Sequence, residues 1–149
     1  MADPETLFGV DLKSVRDRLE LLSYFTGIHD IQAGSEAIAG TRAFIPPAAF
    51  VSIASETYER NRYAAGAHGQ RAETIISVLC CIPANRADDA LADEVEQARK
   101  VVLAQLKGWT PTGADKQLEA RRYSIRSVDA GLVWFEWLFA TSFDLTQLG

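Results

Sequence analysis

Apolar residues recur every three or four positions in two stretches of the chain, and this spacing predicts two amphipathic helices. The first is expected over residues 11–24, with Gly27 after its end and an apolar stripe of Leu12, Val15, Leu19 and Leu22. The second begins at Asp88 or Asp89, either of which is a suitable N-cap, and Gly108 stands where a left-handed C-terminal cap is expected. The apolar stripe of the second helix consists of Leu91, Val95, Ala98, Val102 and Leu106. Both helices therefore need an apolar surface to pack against.

Extended segments lie between the predicted helices. A short extended piece is expected at residues 28–31. A strand over residues 49–54 follows Pro46-Pro47, a pair that enforces extended backbone. A longer strand over residues 71–82 has apolar residues on both parities and ends before a proline, which cannot donate to a sheet ladder. This longer strand is therefore expected to be central in a sheet.

The last third of the chain is predicted to be a β-hairpin. Its strands are residues 119–128 and 132–143, joined by a three-residue turn in which Gly131 supplies a positive φ. The final strand is apolar on both parities, so we expect it to be central or to lie at a subunit interface. The aromatic residues that are candidates for a subunit interface or for the core are Trp109, Trp134, Phe135, Trp137 and Phe139.

Residues 55–70, between the two inner strands, are predicted to form a long loop. Loops longer than about 12–15 residues inside compact domains are usually functional. Its candidate contact residues are Tyr58, Arg60, Arg62, Tyr63 and His68. Tyrosine and arginine side chains can stack on nucleic-acid bases, but Glu56 and Glu59 offset the arginines and leave no basic patch. We therefore interpret this loop as a contact surface and disfavour nucleic acid as its partner.

These elements predict an α+β fold in a single domain, residues 1–149. We expect an antiparallel (mixed) sheet of about four strands, packed by two main helices and ending in a C-terminal hairpin. A chain of 149 residues can bury roughly 68–70% of its unfolded surface, which is sufficient for a core.

The charge and hydropathy of the chain exclude several classes of partner. The chain has 15 Lys and Arg against 20 Asp and Glu, a formal net charge of −5. Binding to DNA or to anionic lipid needs clustered positive charge. No apolar run approaches the roughly 18–20 residues that span a bilayer. The first residues are acidic where a secretory signal is basic and then apolar. We therefore expect a cytoplasmic protein without membrane contact.

The sequence contains no pattern that is typical of an enzyme. It has no glycine-rich phosphate loop, no serine nucleophile flanked by turn glycines and no metal-binding pair of histidines at helical spacing. Cys80 and Cys81 are adjacent, and we interpret them as small apolar strand residues rather than as disulfide or zinc ligands. His29 and His68 are isolated from such partners. We expect no catalytic residue, no cofactor and no metal.

The last third of the chain resembles the tail terminator proteins of Mu-like and related tailed bacteriophages. The resemblance rests on Leu106–Pro111 (LKGWTP), on Leu118-Glu119, on Asp129–Glu136 (DAGLVWFE) and on Phe139–Thr141 (FAT). In that family a helix ends in a Leu-x-Gly-Trp-x-Pro turn, and a hairpin with an aromatic strand follows. The upstream order of elements is similar to that of the family, although the counterpart of the loop at residues 55–70 varies in length. With this resemblance, the loop becomes the candidate contact with the tail tube or with a neighbouring subunit.

This resemblance implies a structural role in the virion. Such proteins form a ring, usually of six subunits, on the end of a completed tail tube. The ring stops further polymerisation of the tube protein and presents a docking surface to the head–tail connector protein of the DNA-filled head. DNA passes through the lumen without specific binding. The implied location is the head–tail junction of the virion, after assembly in the cytoplasm of the host bacterium.

Two other functions remain open from the sequence. A head-side completion protein of the head–tail connector has a similar size and ring symmetry. A small cytoplasmic module that binds a peptide or a nucleic acid through residues 55–70 belongs to a different class. Binding of DNA that weakens with salt would favour the module, whereas closed rings without DNA binding would favour a virion component.

Overall fold

The computed structural model describes residues 9–30, 44–61, 67–84, 88–129 and 131–148. The elements are helix α1 (Leu12–Glu20), strands β1 (Gly27–His29), β2 (Ala48–Tyr58) and β3 (Ala67–Pro83), helix α2 (Asp88–Leu106), and strands β4 (Glu119–Asp129) and β5 (Leu132–Leu148). The predicted α+β class is confirmed. The short extended piece expected after the first helix is strand β1.

The strands form one mixed sheet in the order β1-β2-β3-β5-β4. The pairing of β1 with β2 is parallel, and the other three pairings are antiparallel. The ladder between β3 and β5 runs without a register shift from Ala67, opposite Leu148, to Pro83, opposite Leu132. The sequence prediction that residues 71–82 form a central strand is therefore correct. The final strand β5 is also central, between β3 and β4, as its two-sided apolar pattern predicted.

Both described helices pack on one face of the sheet and form the main core there. Their inward side chains include Val15 and Leu19 of α1 and Val102 of α2, all fully buried. The sheet residues of the same core are Ala49, Val51, Ala72, Ile76, Val78, Cys80, Ile82, Val133, Phe135, Trp137, Phe139 and Phe143. They alternate along each strand with residues of the opposite face, as a pleated sheet requires. Of the helices in the described ranges, none is long and apolar enough to cross a membrane.

Helix α1 is shorter than the sequence predicted. It ends at Glu20, and Ser23 then adopts a φ of +51°. This turn brings Phe25 into the core. Leu22, which the helical periodicity placed on the buried stripe, is instead 50% exposed, and Leu21 is 65% exposed. The helix therefore ends in two solvent-facing leucines.

The prediction of a long loop over residues 55–70 is wrong, because the connection between the two strands is shorter. Strand β2 continues to Tyr58 and β3 begins at Ala67, so residues 59–66 alone connect the two strands. The end of β2, the start of β3 and the end of β5 form a three-stranded ribbon, in which Asp144 lies opposite Arg71. A strand is identified in a sequence by the alternation of apolar and polar residues. The extensions lie beyond the helices and have polar residues on both faces, so the sequence did not predict them.

Two glycines adopt the conformations that the sequence predicted. Gly108 has a φ of +79° just after α2, and Gly131 has a φ of +77° between β4 and β5. The hairpin turn is tighter than expected, because Asp129 pairs with Leu132 and leaves two residues between the strands. The strand β4 therefore extends one residue further than predicted, to Asp129.

Candidate interaction surfaces

The sheet face opposite the helices, which we call the second face, carries a smaller apolar group. This aromatic cluster consists of Phe44, Ala48, Phe50, Leu79 and Trp134. The rings of Phe50 and Trp134 are stacked with centroids 5.8 Å apart, and Phe44 packs edge-on against both. His29 stacks on Phe50 at 5.2 Å. The predicted aromatic Trp134 therefore lies half-buried on the second face.

Three other predicted aromatics lie in the main core. Phe135 and Phe139 are fully buried, and Trp137 is 4% exposed. The Arg99 guanidinium lies over the Trp137 ring at 5.6 Å and over the Tyr123 ring at 5.3 Å. Such cation–π contacts favour a fixed position of the arginine above the rings. These side chains are enclosed within the subunit and are not accessible to a neighbour.

Trp109, the remaining predicted aromatic, joins three elements. It is half-buried, and the Arg18 guanidinium lies 5.5 Å from its ring. Arg18 Nε also donates to the carbonyl of Gln105 at 3.0 Å, which connects α1 to the end of α2. The N–H of Leu118 donates to the Trp109 carbonyl at 2.8 Å. The Gly-Trp-x-Pro turn therefore fixes the chain between α2 and β4.

The second face also holds a partly buried carboxylate. Glu136 accepts a hydrogen bond of 2.6 Å from Ser77 Oγ, and Arg126 Nη1 lies 3.9 Å from its other oxygen. A partly buried carboxylate needs such donors. In the described ranges no group of three or more His, Cys, Asp or Glu side chains is placed to hold a metal ion.

The adjacent cysteines point to opposite faces of β3, and both are fully buried. Burial raises the pKa of Cys80 well above its ordinary value and raises the pKa of Cys81 to about 12. A raised pKa keeps a thiol protonated at neutral pH, and the thiolate is the reactive form.

We expect neither cysteine to react with iodoacetamide in the folded chain at about pH 8, where a free cysteine is partly ionised. In denaturant both should react, because unfolding removes the burial that raises their pKa. Intact-mass spectrometry of the alkylated chain, with and without denaturant, measures both states. Alkylation of the folded chain as fast as that of the denatured chain would contradict the buried placement of these thiols.

Two of the five candidate contact residues near the β2–β3 connection, Tyr58 and Arg60, lie within the described residues with their side chains. Tyr58 is 52% exposed at the end of β2, and its hydroxyl donates to Glu56 at 3.3 Å. The Glu56 carboxylate raises the pKa of Tyr58. Arg60 is exposed. The candidates outside the described residues are Arg62, Tyr63 and the side chain of His68.

A polar groove of about 380 Å³ opens near the ribbon. Its charged lining residues include Glu59, Arg71, Glu73, Lys116, Glu119 and Arg121. Arg71 Nη2 donates to Asp115 Oδ1 at 2.5 Å and to Ser142 Oγ at 2.8 Å. Arg121 lies 3.4 Å from both Glu73 and Glu119. Since the lining has three acidic and three basic side chains, the groove has no charge excess that would select an ionic ligand.

A second, more apolar groove was missed by the sequence analysis. This edge groove lies between α2 and the edge strand β4 and has a volume of about 450 Å³. It is lined by Leu91, Val95, Arg99, Tyr123, Ile125 and Val128, among others. Ile125 and Val128 are 56% and 65% exposed although they lie on the helix side of the sheet. The position of a strand at the edge depends on strand order, which local sequence pattern does not encode.

Exposed apolar side chains at a sheet edge and at a helix end are features of a protein that assembles with others. The comparisons with known proteins agree with this class. The sequence model described as phage tail terminator protein matches residues 9–148, and the chain belongs to that family. It is therefore placed among structural proteins of phage tails.

Solved structures include a similar chain in the virion of a native gene transfer agent particle. The two chains are 17% identical, with a TM-score of 0.47, over 92% of this chain and 96% of the other. No curated protein sequence gives a significant match.

Proposed function

We propose that this protein is the terminator of a phage tail. It forms a ring on the end of a completed tail tube, stops the addition of further tube subunits and provides a docking surface for the DNA-filled head. The observation that carries this proposal is the family match, which extends over residues 9–148. The chain acts as a structural component and not as an enzyme.

Ring formation places a physical requirement on the subunit. Each copy must present two different surfaces, one for each neighbour, because a closed ring is built from heterologous contacts. The exposed apolar side chains at the end of α1 and on β4 are two different surfaces that could meet this requirement. The family resemblance implies six subunits. The formal net charge of −5 is compatible with a lumen through which DNA passes without being held.

Inactivation of this gene in the phage or prophage that carries it tests the proposal. We expect electron micrographs of the lysate to show overlong tail tubes beside DNA-filled heads without tails. The reason is that tube polymerisation has lost its stop while head filling is unaffected. The length distribution of the tubes is the measured quantity.

Supplying the natural chain from a plasmid is the control, and it should restore tails of uniform length. Tails of normal length that lie unattached would point instead to a head-side completion protein. Intact virions in the absence of the gene would reject both virion roles and favour the binding module.

A further inference from the structure

The three-stranded ribbon has an open strand edge on each of its two sides. Strand β4 pairs with β5 only as far as Ala140, and β1 pairs with β2 only as far as Phe50. Residues 143–148 of β5 therefore have β3 on one side and none of the described strands on the other. Residues 51–58 of β2 likewise have β3 on one side only. We call these two segments the β5 edge and the β2 edge.

Main-chain hydrogen-bonding groups point outward along both edges. The Ser142 carbonyl accepts from the N–H of Asp115 at 2.9 Å, so it points away from β3. Main-chain groups alternate between the two sides of an antiparallel strand, so those of Thr146 point the same way. On β2, the N–H of Glu59 donates to a β3 carbonyl at 2.8 Å, so the main-chain groups of Tyr58 point away from β3. Each edge is therefore a template for a further strand.

The long outer edge of the sheet, on β4, is protected against such pairing, whereas the two edges of the ribbon are not. Charged side chains and β-bulges are the usual means of blocking an edge strand. Strand β4 has two register irregularities and five charged residues among its eleven, namely Glu119, Arg121, Arg122, Arg126 and Asp129. The β5 edge and the β2 edge each contain a single charged residue and no proline. The one register irregularity of β2 lies between Ile53 and Ser55, away from the end of the strand.

The two edges meet the same level of the ribbon and run in the same direction. Tyr58, Ala72 and Phe143 form one row across it, in which the β2 edge ends and the β5 edge begins. Since β2 and β5 are both antiparallel to β3, they are parallel to each other. Rotation about an axis along the strands therefore brings the β2 edge of one copy to the β5 edge of the next at this row. A tilt of the strands, such as closure of a sheet requires, slides the edges along each other and in one sense lengthens their overlap.

We infer that the β5 edge of one copy pairs with the β2 edge of the next copy, so that the ribbons form one continuous sheet around the ring. A second copy is the partner that covers both edges with a single repeated contact, as a heterologous ring requires. Pairing of either edge with itself would instead give a dimer and leave the other edge open. The inference rests on the proposed function, since it specifies how the subunits of the proposed ring are joined. Neither the leucines after α1 nor the edge groove is needed for this contact.

Proline substitutions on the outward side of each edge test the contact. Thr146→Pro removes an outward N–H of the β5 edge, and Tyr58→Pro removes one of the β2 edge. Proline is tolerated in an edge strand where the N–H does not face the sheet. Thr146→Ala and Tyr58→Ala are the matched controls, because they shorten the side chain and keep the N–H. Circular dichroism and thermal unfolding check the fold of each full-length variant, and electron microscopy and analytical ultracentrifugation measure assembly in solution and on tail tubes.

We expect neither proline variant to form rings, whereas both alanine variants assemble like the natural chain. Each contact should weaken at least about tenfold, because the lost N–H leaves the facing carbonyl of the neighbour unpaired. A mixture of the two proline variants should give dimers and no larger species. The reason is that Thr146→Pro retains an intact β2 edge and Tyr58→Pro retains an intact β5 edge, which pair once and leave only blocked edges. Each proline variant alone should remain monomeric.

Amide hydrogen exchange of the natural chain provides a second measurement, which decides the question if a proline variant fails to fold. We expect the amide of Thr146 to exchange more slowly in rings than in unassembled subunits, because pairing with a neighbour protects it. Equal exchange in the two states would overturn the contact.

The possible failures separate the inference from the proposed function. A folded proline variant that forms rings as its alanine control does would overturn the edge pairing and leave the terminator proposal standing. Dimers of one proline variant alone would also overturn the inference, because they would show an edge pairing with itself. Absence of rings of the natural chain, even in the presence of tail tubes, would overturn the contact and the proposed ring together.

Discussion

Replacement of Phe135 with alanine is expected to lower the free energy of unfolding by about 3–5 kcal/mol. Phe135 is fully buried near the start of β5, opposite Cys80 on one side and Ile125 on the other. Its ring lies 5.8 Å from that of Tyr123. Removal of the ring forfeits its burial and leaves a cavity that the surrounding strands cannot fill. Since small proteins are stable by about 5–15 kcal/mol, this one change removes a large part of the total.

Urea denaturation followed by circular dichroism measures the effect of this change. Ile45→Ala is the matched control, because Ile45 is also apolar but is 69% exposed. Its replacement should change the free energy of unfolding by no more than about 0.5 kcal/mol. Equal losses in the two variants would show that Phe135 is not part of the core.

Replacement of Gly113 with alanine is the second large effect that we expect. Gly113 has a φ of +88°, and an added Cβ would lie far inside the van der Waals contact distance from the Gly9 carbonyl oxygen. The conformation alone costs about 1–2 kcal/mol for a residue with a side chain. The clash is with backbone, which must move, and the nearby hydrogen bond from Asp11 N–H to the Thr112 carbonyl would be strained. We expect a total loss of about 2–4 kcal/mol.

Gly108→Ala separates the two causes of this loss. Gly108 has a similar φ of +79°, but an added Cβ would meet no atom within 4 Å. This variant should lose about 1–2 kcal/mol, from conformation alone. Thermal unfolding of both variants gives the comparison. If Gly113→Ala were no less stable than Gly108→Ala, the close approach of the two segments would be refuted.

The sequence identified those elements whose apolar pattern is set by the main core. Helix α2 was predicted because its buried residues, such as Ala98, Val102 and Leu106, recur at helical spacing. The central strand β3 was predicted because both of its faces are apolar near the core. The glycines at positions 108 and 131 were predicted correctly because left-handed backbone has few alternatives to glycine.

The remaining features depend on contacts that a local pattern does not contain. The end of α1 is decided by the turn at Ser23, and helical spacing continues past this residue to Leu22. The strand extensions of the ribbon lie beyond the helices and have no apolar alternation. The edge groove follows from strand order, which places β4 rather than β5 at the edge. A candidate surface of this kind can be recognised only after the fold is known.

The position of β5 between β3 and β4 also determines when a newly made subunit can assemble. A chain synthesised only as far as Asp129 has both neighbours of β5 but not β5 itself, so its sheet is in two unconnected parts. The contacts that join them span long sequence separations, as Ala67 with Leu148 does, and such contacts form late in folding. The edge strand β4 has no partner in the sheet until β5 arrives. Incomplete chains therefore lack a finished edge groove, because β4 joins the sheet only through β5.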